Sequence, residues 1–120
     1  MSELKRIILE MGTGNDLYGE DYTKAAKRAV QDAIHHSSIT LFKSLDIDPA
    51  LMQIELNIAA QEPDKINLQE VARELPYGKV SPRAVHGGLN ITDEVSGRIS
   101  VIVNAGIIVR LPMHSSSQAS

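Results

Sequence analysis

The chain has 120 residues, 42% hydrophobic and 22% charged, with a net charge of −3, enough for one globular domain with a limited core. The absence of cysteine excludes disulfides, thiolate zinc sites and a cysteine nucleophile. No basic run could track a phosphate backbone and no apolar run could span a bilayer, so neither nucleic acid nor a membrane is an expected partner, and a cytoplasmic location is expected.

Residues 4–11, LKRIILEM, predict a strand in which Ile7, Leu9 and Met11 share one face and Arg6, Ile8 and Glu10 the other. GTGNDLYG, residues 12–19, follows as a loop. A helix is expected over 21–43, where Tyr22, Ala26, Ala29, Ala33, Ser37 and Leu41 recur at helical spacing. Its buried stripe is mostly alanine, which lets it lie close to whatever it packs on. Pro49 ends the segment. Residues 51–60 alternate strictly and predict a strand with Met52, Ile54, Leu56 and Ile58 inward and Gln53, Glu55 and Asn57 outward. A second, short helix starts at Asn67, an N-cap with Glu70 three positions on and Ile66 and Val71 placed as a hydrophobic staple. Two strands follow at 84–92 and 98–111, joined by a hairpin turn in DEVSG. Gly106 suggests a bulge or a close backbone approach. Residues 113–120 read as a flexible tail, so 1–112 form the single domain.

The order β-α-β-α-β-β predicts an α+β domain, a four-stranded sheet with two helices on one face. It resembles the trimeric fold of bacterial chorismate mutases and small imine deaminases. Parity assigns Val85, Leu89, Ile91, Ile99, Val101 and Val103 to the helix-covered core. His86, Gly88, Asn90, Ser100, Ile102 and Asn104 join Glu10, Gln53, Glu55 and Asn57 on the second face. A slip of register at Gly87–Gly88 would flip the strand beyond it. The second face is either solvated or packed against other subunits. Its asparagines and its Ile8 and Ile102 favour packing, hence a homo-oligomer.

In the stretch 12–19, Gly12 and Gly14 fit the first and third places of a dinucleotide fingerprint, but Leu17 holds the sixth and no Gly-Lys-Ser/Thr follows. Asp16, Glu20 and Asp21 would also oppose an anion at the helix start. A tight strand-to-helix corner is the plain alternative. GTGNDLYG resembles the glycine-rich signature G-x-G-x-D-x-H-G of a conserved uncharacterised family found in bacteria and plants. Gly12, Gly14, Asp16 and Gly19 fall on its fixed positions, and Tyr18 stands where that pattern has His. The downstream TKAAKRAVQDAIHHSS and the overall length resemble that family too. The resemblance implies a site there and names no reaction or cofactor.

Among the histidines, His35 is expected on a solvated helix face and His36 at the edge of the packed stripe. His86 precedes Gly87–Gly88 on the polar face, and an imidazole titrates near neutral pH. No His-x-x-x-His or Glu-x-x-His pair marks a metal site. Arg83 is a candidate carboxylate or phosphate clamp or a plain surface charge. The expected site joins the 12–19 loop to the polar sheet face and serves a small molecule. Asp16, Glu10 and His86 are its acid–base candidates. Gly12, Gly14, Asn15, Tyr18, Gly19 and Asn104 are its ligand-binding candidates. The competing expectation is a non-catalytic oligomeric structural protein in which these residues only bridge subunits.

Overall fold

The computed structural model describes residues 3–35, 48–75 and 78–113. Among the described residues, besides two short 3-10 turns, two α-helices and five strands follow one another: β1 (Glu3–Asp16), α1 (Tyr22–His35), β2 (Gln53–Ala60), α2 (Leu68–Ala72), β3 (Lys79–His86), β4 (Leu89–Thr92) and β5 (Ile99–Met113). They build one five-stranded mixed sheet in the order β1-β5-β2-β3, with β4 also paired to β5. Both helices pack on one face. The α+β class and the single covered face are as expected, but the sheet has five strands, not four. The extra strand arises because Gly87–Gly88 splits the segment expected at 84–92. On one side β3 starts earlier, at Lys79, and runs parallel to β2; on the other β4 lies antiparallel to β5. Gly88 has φ +64, and a Cβ there would lie 2.9 Å from the Ala59 carbonyl oxygen, so the corner needs glycine.

Long β5 organises the sheet. β1 pairs along most of it, from Glu3↔Met113 to Asp16↔Val101. On its other edge β2 covers Asn104 to Arg110, and β4 covers Ile99 to Ile102. The core is aliphatic: Met52, Ile54, Leu56 and Ile58 of β2, Val101, Val103, Ile107 and Val109 of β5, the alanines of α1 and Val71 of α2. Asn67 caps α2, its side chain accepting the Glu70 N–H at 3.1 Å, while Ile66 and Val71 are buried beneath. The hairpin between β4 and β5 is tied by Asp93, whose carboxylate accepts the Val95 N–H at 2.9 Å and the Ser96 hydroxyl at 3.1 Å.

Two parities are reversed from expectation. In β1 a bulge shifts register between Arg6 and Ile8. The extra residue turns every later side chain over. Leu9 and Met11 therefore stand on the open face, and Glu10 lies on the helix side, at half-burial. In β3 and β4, Val85, Leu89 and Ile91 are exposed, and Asn90 points inward to donate to the Tyr22 hydroxyl at 2.7 Å. Gly106 carries no bulge; it is in continuous register with both Met11 and Asn57.

The largest departure concerns residues 12–16, expected as loop and found as the last stretch of β1. Its glycines form a seam under α1. A Cβ on Gly12 would collide with the backbone of Ala29 and Ala33, and one on Gly14 with that of Ala25 and Ala29. The alanine stripe and the glycine pair are the two halves of one close contact. The helix also finishes the free edge of β1: Asp32 accepts the Thr13 N–H at 2.9 Å, and Arg28 donates to the Asn15 carbonyl at 2.7 Å. The rest of the helix expected to Lys43, with His36, and the tail from His114 lie outside the described residues.

Candidate functional site

Among the described residues, two cavities hold residues expected at the site. The first is the corner where β1 runs into α1. A cavity of about 520 Å³ is lined there by Asn15, Asp16, Tyr18, Gly19, Lys24 and Arg28 among others. Asp16 is only 5% exposed. Its carboxylate accepts the Asp21 N–H at 3.0 Å and lies 3.8 Å from the Arg28 guanidinium. Gly19 sits so close that a Cβ on it would come within 2.6 Å of an Asp16 oxygen. Asp21 in turn caps α1, accepting the Lys24 N–H at 3.0 Å. The Asp16 carboxylate thus braces the turn that launches the helix. The ring of exposed Tyr18 faces the Arg98 guanidinium at 5.8 Å.

The second is a hollow of about 460 Å³ on the open sheet face. Its floor is Gly106, where an added Cβ would meet nothing within 4 Å. Register sets the walls. Met11 and Asn57 flank Gly106 on β1 and β2, and Thr13 and Ala59 flank Asn104 one row further along. Val85 of β3 pairs with Ala59 and closes the side. The Asn104 amide donates to the Thr13 hydroxyl at 3.1 Å. The Asn57 amide donates to Glu55 at 2.9 Å and, more weakly, to the Gly106 carbonyl at 3.5 Å. Glu55 also accepts from Arg110 at 3.0 Å. The Asn57 and Arg110 hydrogen bonds hold the Glu55 carboxyl below its ordinary range.

The expected residues are therefore divided. Asn15, Asp16, Tyr18 and Gly19 meet at the corner, and Asn104 belongs to the hollow. Glu10 and His86 join neither. Glu10 is on the helix side of β1, about 20 Å from Asp16 along an extended strand. His86 ends β3, three strand spacings, about 14 Å, from β1 in the sheet order. Asp16, Glu10 and His86 thus lie apart in the fold, because pairing with β5 extends β1 where a loop was expected. Gly12 and Gly14 face α1, and their open side is filled by helix backbone, though Gly12 also borders the hollow between Met11 and Thr13. Gly106 and Asn57 were not singled out from the sequence as site residues. The signal was present in Gly106, an in-strand glycine, but its partners follow only from register. Among the described residues no cluster of three or more His, Asp and Glu could hold a metal ion. No described helix is long and apolar enough to cross a membrane.

A family model described as "Conserved hypothetical protein (Lin0512_fam)" matches residues 6–109. The chain belongs to this family. The match agrees with the resemblance to a conserved uncharacterised family. Among solved structures, this Lin0512 family chain is similar to an FtsZ-like protein of unknown function from Nostoc punctiforme. The TM-score is 0.80 at 28% identity, covering 94% of this chain and 100% of that one. No curated protein matches it. The family is described as hypothetical and the neighbour as of unknown function, so a functional reading rests on the geometry.

Proposed function

We propose that this Lin0512 family protein is a homo-oligomer that binds a small polar molecule in the hollow of its open sheet face, enclosed when subunits pack. The observation that carries this reading is the glycine-floored hollow itself. Four hydrogen-bonding side chains, Thr13, Asn57 and Asn104 on the sheet and Asp32 reaching in from α1, surround a gap that the missing side chain of Gly106 leaves in the sheet face. Its volume falls in the range of small-molecule sites. The rest of that face supports assembly. Met11 is 72% exposed and Leu89 and Ile91 are each 52% exposed, a concentration of apolar surface that water disfavours and a second subunit would cover. The element order, with one added strand, still resembles that of the trimeric chorismate mutases and imine deaminases, which supports an oligomer further. In this reading the corner at Asp16 fixes the end of β1, and through it the position of Thr13 and Asn15.

A second reading keeps the assembly and drops the ligand: the open face joins subunits and nothing more. The same exposed Met11, Leu89 and Ile91 favour it. One pair of measurements separates the two. Light scattering at micromolar concentration should return a multiple of the 13.1 kDa chain mass, and a monomer would refute the assembly. A thermal-shift screen of metabolites on wild type and Gly106→Leu should give hits that the variant loses, because leucine fills the hollow. Hits retained in full by the variant, or none, would leave the purely structural reading.

A further inference from the structure

We infer that the hollow over Gly106 takes a small hydroxy- or amino-acid, with its carboxylate on Arg83 and its hydroxyl or ammonium group toward the two asparagines. This rests on the reading of the hollow as a ligand site. Arg83 does not line the hollow, but it stands on the open face opposite Asn57, which does, in the β2–β3 register. Its side chain is exposed, and among the described residues it makes no ion pair within 4 Å. Glu55, on the same face, feels the Arg83 charge but is bound directly by Arg110 at 3.0 Å and by the Asn57 amide at 2.9 Å, which leaves the Arg83 fork without a direct partner of its own. Lys79 is exposed on the same strand, so this side of the face holds three cations, Lys79, Arg83 and Arg110, against Glu55. A guanidinium presents a planar fork that matches a carboxylate edge to edge.

The middle of the hollow has the opposite polarity. The Asn57 amide nitrogen gives its two donors to Glu55 and Gly106, and the Asn104 nitrogen gives one of its two to Thr13. Their carbonyl oxygens receive no hydrogen bond from the described residues, and an amide oxygen is an acceptor with two lone pairs. A ligand that complements acceptors at the centre and a cation beside the hollow carries a donor a few bonds away from a carboxylate. Phosphate fits less well. One guanidinium without converging backbone N–H groups balances one negative charge better than two, and the helix N-termini of the chain lie on the other face of the sheet.

The test is a set of ¹H–¹⁵N titrations of the full-length protein with L-lactate, L-malate, L-serine and L-glutamate. Lactamide and L-serinamide serve as counterparts without the carboxylate, and inorganic phosphate as a competing anion. The side-chain amides of Asn57 and Asn104 and the backbone amide of Gly106 are the reporters. At least one of the acids should shift all three, bind at least tenfold more tightly than its amide or phosphate, and lose at least tenfold in Arg83→Gln, whose spectrum shows that the fold is kept. Arg83→Lys should retain part of the binding. Equal binding of acid and amide, an unchanged affinity in Arg83→Gln, or a preference for phosphate overturns the carboxylate assignment. So does an absence of shifts with all four acids. In each of these cases, hits in the thermal-shift screen that Gly106→Leu abolishes would still preserve the hollow as a site. Failure of both experiments removes the site as well.

Discussion

Adding a single methyl group at Gly14 should cost this protein about 3 kcal/mol, whereas the same methyl group at Gly106 should cost nothing. The difference follows from what each Cβ would meet. At Gly14 it would stand 2.8 Å from the Arg28 carbonyl carbon and closer still to the Ala25 oxygen and the Ala29 nitrogen, all backbone atoms of α1. Carbon atoms pack best at about 3.5–4.0 Å. The helix must then retreat by about 1 Å, which forfeits up to about half of each dispersion well it makes with the sheet. Ala25, Ala26, Ala29, Val30 and Ala33 are all fully buried in that contact, so no flexible side-chain end can give way. Overpacking of this kind costs about 1–3 kcal/mol, and the rigidity of both partners places Gly14→Ala at the upper end. At Gly106 the Cβ meets nothing, and the residue is not among those with positive φ. Gly106→Ala should stabilise by about 0.5 kcal/mol, because alanine leaves the unfolded chain less freedom to lose. Thermal melts at one protein concentration would show Gly14→Ala about 10 °C below wild type and Gly106→Ala at or slightly above it. A Gly14→Ala melt within two degrees of wild type would refute the backbone-to-backbone seam.

Replacing Asp16 with asparagine should cost roughly 2 kcal/mol, since a buried carboxylate that accepts the Asp21 N–H and faces Arg28 is lost; a urea midpoint equal to wild type would show that the corner does not need it. Asn67→Ala should cost about 1 kcal/mol by removing the cap of α2, and an unchanged denaturation midpoint would place the helix start elsewhere. Glu55 titrates below its ordinary value of 4.5 because Asn57 and Arg110 bind the carboxylate. Its contribution to stability is therefore present above about pH 4.5 and lost as the pH falls through the lowered value. Urea melts between pH 3 and 6 should show a weaker acid dependence in Glu55→Gln, and identical pH profiles would count against the pair. Asp93 is likewise held below its ordinary 3.8 by the Val95 N–H and the Ser96 hydroxyl, so Asp93→Asn should loosen the β4–β5 hairpin in hydrogen exchange near neutral pH and matter less below that value, whereas equal protection in the variant would refute its role.

How far the fold could be read from the sequence depended on whether a pattern was local. The alternation of residues 51–60 and the Asn67 cap are satisfied by near neighbours, and both appear as expected. The faces of β1 and β3 depend on distant partners. One residue bulged between Arg6 and Ile8 reverses Leu9 and Met11, and hydrophobicity alone gives no sign of it, since both faces of that strand carry apolar side chains. In β3, starting the strand at Ala84 hid the alternation of Lys79, Ser81 and Arg83 with Val80, Pro82 and Ala84, which would have turned Val85 outward. For the site, the alanine stripe on α1 implied a close approach, and the glycines that receive it lie at 12 and 14. The two were not connected, because strand glycines and loop glycines look alike until the partner strand is known. Asn104 and Asn57 were legible as polar-face residues, but their meeting around Gly106 needed the β1–β5–β2 register.

The free edge of β1 has a further consequence. An unpaired strand edge is a template onto which another chain can add. Here Asp32 occupies the Thr13 N–H, and Arg28 occupies the Asn15 carbonyl. An incoming strand would have to displace both side chains before it could bond to that stretch. At the opposite edge, β3 carries Pro82, which has no N–H to offer a neighbour. Both borders of the sheet are thus discouraged from the lateral, edge-to-edge growth by which strands extend into fibres.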